Sequence, residues 1–327
     1  MAHPPPQGCE DFQPQAPFLA RWLHGTLYEK LLKLPDDVAV YPTHGGGSFC
    51  SAVVHGDASV LSSIGEERRC NPFAAFPKEE EFVEFALADL GSYPKYYRYM
   101  ADINRRGPDV LGSVPRLASL TALSAHHQIE EGAILLDAQP QKESNQEHIP
   151  GAFTIPFGDN LATWVGWVVP WSEPMTLLSL DPTQHDPTVR QLIRIGCDRL
   201  VGFISGGMNA WKAAGLPVET TDRIDVPSLH QAWAEGQAPM VIDVRQRNEL
   251  LSGHIAGALN IELGELQDHL DGLPWELPIV TVCASGARAS TAGSILKRDG
   301  RANIQVLEEG GATAWIERGY PSSTGDD

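Results

Sequence analysis

Close-spaced cysteine pairs, long apolar runs and basic clusters are all missing from this chain of 327 residues. Its five cysteines, Cys9, Cys50, Cys70, Cys197 and Cys283, are odd in number and scattered. That pattern argues against a disulfide framework or a C-x-x-C zinc knuckle and makes reduced thiols the expectation. The longest apolar run, Leu161 to Trp171, is too short to cross a bilayer and reads as buried structure. With Lys and Arg numbering 24 against 42 Asp and Glu, the formal charge is -18. Neither a nucleic acid nor an anionic membrane is expected as a partner of such a surface, whose acidity serves solubility. The N-terminus also lacks the basic stretch and apolar core of a secretory signal, so a cytoplasmic location is expected.

Hydrophobic residues at 42% and charged residues at 20% give a globular balance, and the length suggests two or three domains. An internal repeat favours three. Two segments about 105 residues apart match marker by marker. Ile134-Leu135-Leu136-Asp137 corresponds to Val241-Ile242-Asp243-Val244 with the aspartates aligned, and His148-Ile149-Pro150-Gly151-Ala152 to His254-Ile255-Ala256-Gly257-Ala258. Gly206-Gly207-Met208-Asn209-Ala210-Trp211 corresponds to Gly310-Gly311-Ala312-Thr313-Ala314-Trp315. Each copy alternates short β-branched runs with segments of helical period, which predicts an α/β domain with a central parallel sheet flanked by helices. The expected domains are residues 116–220 and 225–322, joined through Asp222–Pro227. They are preceded by a segment 18–112 and a Pro- and Gln-rich tail 1–17 that reads as disordered.

Within the second copy, Cys283 follows the apolar run Ile279–Val282 and precedes a helical segment, Ala289 to Lys297. It is therefore expected at the C-terminal edge of a parallel sheet, where α/β ligand sites form. Backbone amides of the loop Ala284-Ser285-Gly286-Ala287, the following helix N-terminus and the charge of Arg288 all favour negative charge on the sulfur or on a bound oxyanion. Cys283 is read as a nucleophile, Arg288 as its catalytic and anion-binding partner, and Ala284, Ser285, Gly286 and Ala287 as the substrate cradle. Asp243 and His254 are expected to fix strand ends and turns, and Trp315 to pack in the core.

With its flanking markers, this run resembles the rhodanese homology domain over residues 225 to 322. The resemblance implies that Cys283 takes sulfane sulfur from thiosulfate or a persulfide and passes it to a thiol or cyanide, with no cofactor. Small sulfur donors and thiol acceptors are the partners implied. The four residues between Cys283 and Arg288 resemble sulfurtransferases rather than the related phosphatases, whose loop is one residue longer. Aligning Leu178-Ser179-Leu180 with Val280-Thr281-Val282 places Asp181 at the cysteine position of the first copy. That copy then resembles a catalytically silent rhodanese domain, and Cys197, outside its loop, is assigned to core packing.

The stretch Leu34 to Ser48 reads as a helix exit, a short strand and a glycine-rich loop displaying His44. Together with Ser63-Ile64-Gly65-x-Glu67-Arg68-x-x-Asn71-Pro72 it resembles a late part of the metallo-β-lactamase fold, as fused to rhodanese domains in persulfide dioxygenase-like proteins. Residues 18–112 are accordingly expected to be a truncated segment of that fold. The H-x-H-x-D-H stretch such a metal site needs does not precede His44, so no bound metal is expected and His44 is a vestigial ligand or an ordinary loop histidine. Half a fold needs a cover, either a rhodanese domain or a second subunit, which makes homo-oligomerisation one expectation. Besides a sulfurtransferase, two other readings stay open: a sulfur-relay or binding module serving a partner protein, and a metal-dependent persulfide dioxygenase or hydrolase acting through a completed N-terminal site.

Overall fold

A computed structural model describes residues 15–42, 61–88, 93–178, 181–308 and 310–324. His44, Cys9 and Cys50 lie outside the described residues. The chain divides into two compact units, Met1–Gly91 and Ser92–Asp327.

The first unit contains α1 (Ala16–Glu29), the two-residue strands β1 (Ala39–Val40) and β2 (Ser62–Ser63), α2 (Ile64–Cys70) and α3 (Glu79–Ala88). Strands β1 and β2 pair antiparallel. The Ser63-to-Asn71 motif has a local purpose. Ser63 caps α2 by accepting from the amide of Glu66 at 3.3 Å, and Gly65 lets the helix approach the side chain of Asp36. Arg68 then binds the Asp36 carboxylate and the carbonyl of Leu34. Phe73, Phe82 and Phe85 form edge-on and tilted ring contacts beneath α3.

The second unit opens with α4 (Tyr97–Arg106), whose Tyr99 stacks on Trp171 at 4.1 Å. The first copy then runs β3 (Ser119–Leu120), α5 (Ala122–Glu130), β4 (Ile134–Asp137), α6 (Gln141–Gln146), β5 (Phe153–Thr154), α7 (Leu161–Val168), β6 (Met175–Leu178), α8 (His185–Arg194), β7 (Leu200–Ile204) and α9 (Gly207–Ala213). The second copy runs β8 (Asp222–Ile224), α10 (Val226–Ala234), β9 (Met240–Asp243), α11 (Arg247–Leu250), β10 (His254–Ile255), β11 (Leu259–Asn260), β12 (Ile279–Val282), α12 (Ala287–Arg298), β13 (Ile304–Leu307), α13 (Gly311–Glu317) and β14 (Ser322–Ser323).

Both five-stranded sheets are parallel and share one topology, β3-β7-β6-β4-β5 in the first and β8-β13-β12-β9-β11 in the second. Their central strands β6 and β12 are buried along their whole length, as continuous apolar runs covered on both faces should be. The sequence markers are structural counterparts. Trp211 and Trp315 each donate from Nε1 to a proline carbonyl six residues on, Pro217 and Pro321, at 2.8 Å. Thr121 and Asp225 each cap the first helix of their copy through the amide three residues later.

Strand register corrects one alignment. Asp137 pairs with Leu178 in the first sheet, and Asp243 with Val282 in the second. Leu178 is therefore the counterpart of Val282, and the residue at the Cys283 position is Ser179, not Asp181. Ser179 lies outside the described residues. The segment from Ser179 to Gln184 still contains no cysteine, glycine or arginine.

The two copies share a core. Phe153, Leu161 and Trp167 of the first belong to the same buried cluster as Ile242, Leu266, Ala292 and Ile295 of the second. Helix α12 is the seam. Its residues from Ala289 to Leu296 are all buried, which small side chains such as Ala292, Gly293 and Ser294 permit. On the face toward the first copy, Thr291 Oγ1 donates to the carbonyl of Thr154 at 2.7 Å, and Ser294 Oγ accepts from the Thr154 amide at 3.1 Å. The Arg298 guanidinium lies 4.2 Å over the Phe153 ring.

Candidate active site

Cys283 stands where β12 ends and the chain turns into α12, so its loop sits at the C-terminal edge of the sheet beside a helix N-terminus. The turn depends on Gly286, whose φ of 101° is a conformation that side chains disfavour. That turn aims the Gly286 amide at the cysteine, donating to Sγ at 3.0 Å. The paired glycines of α13 support the loop from behind. The Ala312 amide donates to the Cys283 carbonyl at 2.9 Å, and any side chain on Gly311 would overlap that carbonyl oxygen. Cys283 is 1% exposed, Ser285 is exposed, and Ala284, Ala287 and Arg288 are half-buried. The predicted cradle residues are thus brought together around the thiol.

Arg288 is committed to a partner that its sequence position does not reveal. Its Nη1 and Nη2 donate to Glu249 Oε1 and Oε2 at 2.5 and 2.8 Å, a bidentate pair, while Trp164 of the first copy faces the guanidinium at 5.7 Å. Burial acts to lower the Arg288 pKa, but the hydrogen bonds and charge of Glu249 outweigh it and the net shift is upward. For Glu249, burial acts upward, but Arg288 prevails and holds the carboxyl below its usual range. Glu249 is itself fixed by a capping box, accepting from the Gln246 amide at 3.1 Å.

The strand-end aspartates show how the copies diverged. Asp243 accepts from the backbone amide, Nε and Nη2 of Arg245, a buried pair whose Nη2 also reaches the carbonyl of Gly253. In the first copy Gln139 replaces the arginine, donating to Asp137 from its amide at 3.0 Å and from Nε2 at 3.2 Å. Burial, only partly offset by those bonds, pushes the Asp137 carboxyl up to about 6. His254 is buried, as is Trp315. Cys197 is buried, and that burial pushes its thiol up to about 11, an environment for packing rather than nucleophilic chemistry.

Sequence reasoning missed Glu249, Gln141 and Trp164. The acid three residues after Gln246 is the signal that marks the capping box, whereas nothing local marks Gln141 or Trp164.

Residues 121–214 and 226–318 each match the family described as Rhodanese, the rhodanese-like domain, and together they make up more than half of the chain. The chain belongs to the rhodanese family. A protein named "Sulfurtransferase" from Allochromatium vinosum is 30% identical over 100 residues, 31% of this chain and 92% of that protein. The "Thiosulfate sulfurtransferase GlpE" of Shewanella oneidensis is 30% identical over 83 residues, 25% of this chain and 81% of the relative. Among solved structures, a metallo-β-lactamase from Staphylococcus aureus aligns with a TM-score of 0.50 at 20% identity, covering 61% of this chain and 54% of its own. That last likeness is one of fold. Metal chemistry of the metallo-β-lactamase type needs several converging His and Asp ligands, and no group of three or more His, Cys, Asp or Glu side chains suited to a metal occurs among the described residues. Nor is any described helix of this rhodanese long and apolar enough to cross a membrane.

Proposed function

We propose that the chain is a sulfurtransferase in which Cys283 cycles through a persulfide. The observation that carries this reading is the donation of the Gly286 amide to Cys283 Sγ at 3.0 Å, at a helix N-terminus in a rhodanese domain. The same amide dipole that meets the thiol serves an anionic sulfur.

In the first half-reaction the Cys283 thiolate attacks the sulfane sulfur of thiosulfate or a persulfide. A new S–S bond forms at Sγ, and sulfite or a thiolate departs with the electron pair of the broken bond. In the second, an acceptor thiolate or cyanide attacks the outer sulfur. The S–S bond to Cys283 breaks, its electron pair returns to Sγ, and a persulfide or thiocyanate leaves. Arg288, oriented by Glu249, keeps positive charge beside the loop through both steps. The loop amides of Ala284, Ser285, Gly286 and Ala287 hold the transferred sulfur.

The first copy, without a cysteine in its corresponding loop, acts as a scaffold. Small sulfur compounds are the partners, and the cytoplasm, where thiols stay reduced, is the compartment this chemistry suits. The test is mass spectrometry of the full chain after treatment with thiosulfate or a persulfide. One added sulfur is expected in the wild type and none in Cys283→Ser; an adduct that persists in the variant overturns the assignment. One equivalent of iron or zinc in the purified chain would add a metal-dependent persulfide dioxygenase or hydrolase activity to this reading.

A further inference from the structure

The loop that holds Cys283 is roofed by the other copy. Gln141, the first residue of α6, approaches Gly286 through its Nε2: a methyl built on Gly286 would come within 2.5 Å of Gln141 Nε2, 3.3 Å of its Cδ and 3.4 Å of its Oε1. One turn further along both helices, Asn145 Nδ2 donates to Ser290 Oγ at 3.1 Å, with both side chains buried. Helices α6 and α12 therefore meet in a fixed register, Gln141 on Gly286 and Asn145 on Ser290, four residues apart on each. A buried hydrogen bond one turn away holds the two helices at this spacing and so keeps the Gln141 backbone beside Gly286. Trp164, also of the first copy, faces the Arg288 guanidinium at 5.7 Å. Gly286, which Gln141 approaches, is the residue whose amide donates to Cys283 Sγ, and Cys283 itself is 1% exposed.

Building on the sulfur-transfer reading, we propose that Gln141 is a specificity-determining residue. Its carboxamide narrows the approach to Cys283, so that slender donors and acceptors such as thiosulfate and cyanide reach the sulfur and bulky thiols such as glutathione are held back. The first copy thereby sets which acceptor the second copy serves. A polar side chain at the mouth discriminates by size because removing it admits a larger nucleophile without altering the cradle that holds the sulfur.

The test measures kcat/KM for cyanide and for glutathione with full-length wild type, Gln141→Ala and Gln141→Trp, with thiosulfate as donor. In parallel, the Cys283 persulfide is quantified by mass, and folding is checked by thermal melting. The alanine variant is expected to raise the glutathione-to-cyanide ratio roughly tenfold, and the tryptophan variant to lower it. Ratios unchanged in both variants, with persulfide loading at the wild-type level, overturn the role of Gln141 and leave the sulfur-transfer reading standing. Failure of the wild type to load sulfur at Cys283 overturns both. Should Gln141→Trp melt early, the alanine variant decides, since alanine suits the first position of a helix.

Discussion

Glu249 grips Arg288 with both carboxylate oxygens, at 2.5 and 2.8 Å, from a helix turn that precedes the Cys283 loop by more than thirty residues. The pair links the turn after β9 to the first turn of α12. It holds the guanidinium beside the sulfur without requiring Arg288 to reach into the cradle itself.

Replacing Glu249 by glutamine strands a half-buried guanidinium and should lower stability by about 1–3 kcal/mol at neutral pH. The sign with pH follows from linkage. An acid held below its usual range contributes stability that is present above its unfolded pKa and is lost as pH falls through the folded value. Urea midpoints of wild type and Glu249→Gln should therefore differ at pH 7 and converge as pH drops below the ordinary glutamate range. A gap that stays constant across that range would show that the charge of Glu249 is not what stabilises the fold.

Asp137 behaves in the opposite sense. Its carboxyl is pushed from 3.8 to about 6 by burial, so its contribution is complete below pH 3.8 and is lost as pH rises through 6. Supplying the missing cation with Gln139→Arg, in imitation of Arg245 on Asp243, should raise stability at pH 7 by on the order of 2 kcal/mol and flatten the dependence between pH 4 and 7. Denaturation midpoints measured across that range test it. An arginine variant with the same slope as wild type would show that Asp137 is not the titrating group.

Gly311→Ala should disable the site while leaving Cys283 in place. The added methyl overlaps the Cys283 carbonyl oxygen, so the loop must shift and the Gly286 amide loses its aim at Sγ. A loss of roughly 2 kcal/mol in stability and about a hundredfold in the rate of persulfide formation is expected. Stopped-flow loading with a sulfane donor measures the rate, and wild-type kinetics would show that the loop tolerates displacement.

Much of this protein is legible along the chain because it is written in local patterns. The apolar run Ile279–Val282, the glycine at 286 and the helix-forming segment after it specify a strand, a turn and a helix, and those elements alone place Cys283 at a sheet edge. The repeated Gly-Gly and tryptophan markers reveal the second copy for the same reason, since each matches a turn or packing site that recurs in both folds. The register of the first copy's loop was not legible. Without a cysteine to anchor the alignment, only the pairing of Asp137 with Leu178 shows that Ser179, rather than Asp181, aligns with Cys283 along the sequence.

Local patterns along the chain specify the α/β units, the single cysteine loop and the Gly286 turn whose amide faces the sulfur, because each depends on neighbours within a few residues. Tertiary structure alone decided what surrounds that loop. Glu249 reaches Arg288 across 39 residues, and Asn145 holds Ser290 across 145. The first contact is made within the second copy and the second where the two copies pack around the shared helix α12, and a local pattern carries no record of which distant side chain the packing will bring within hydrogen-bond reach.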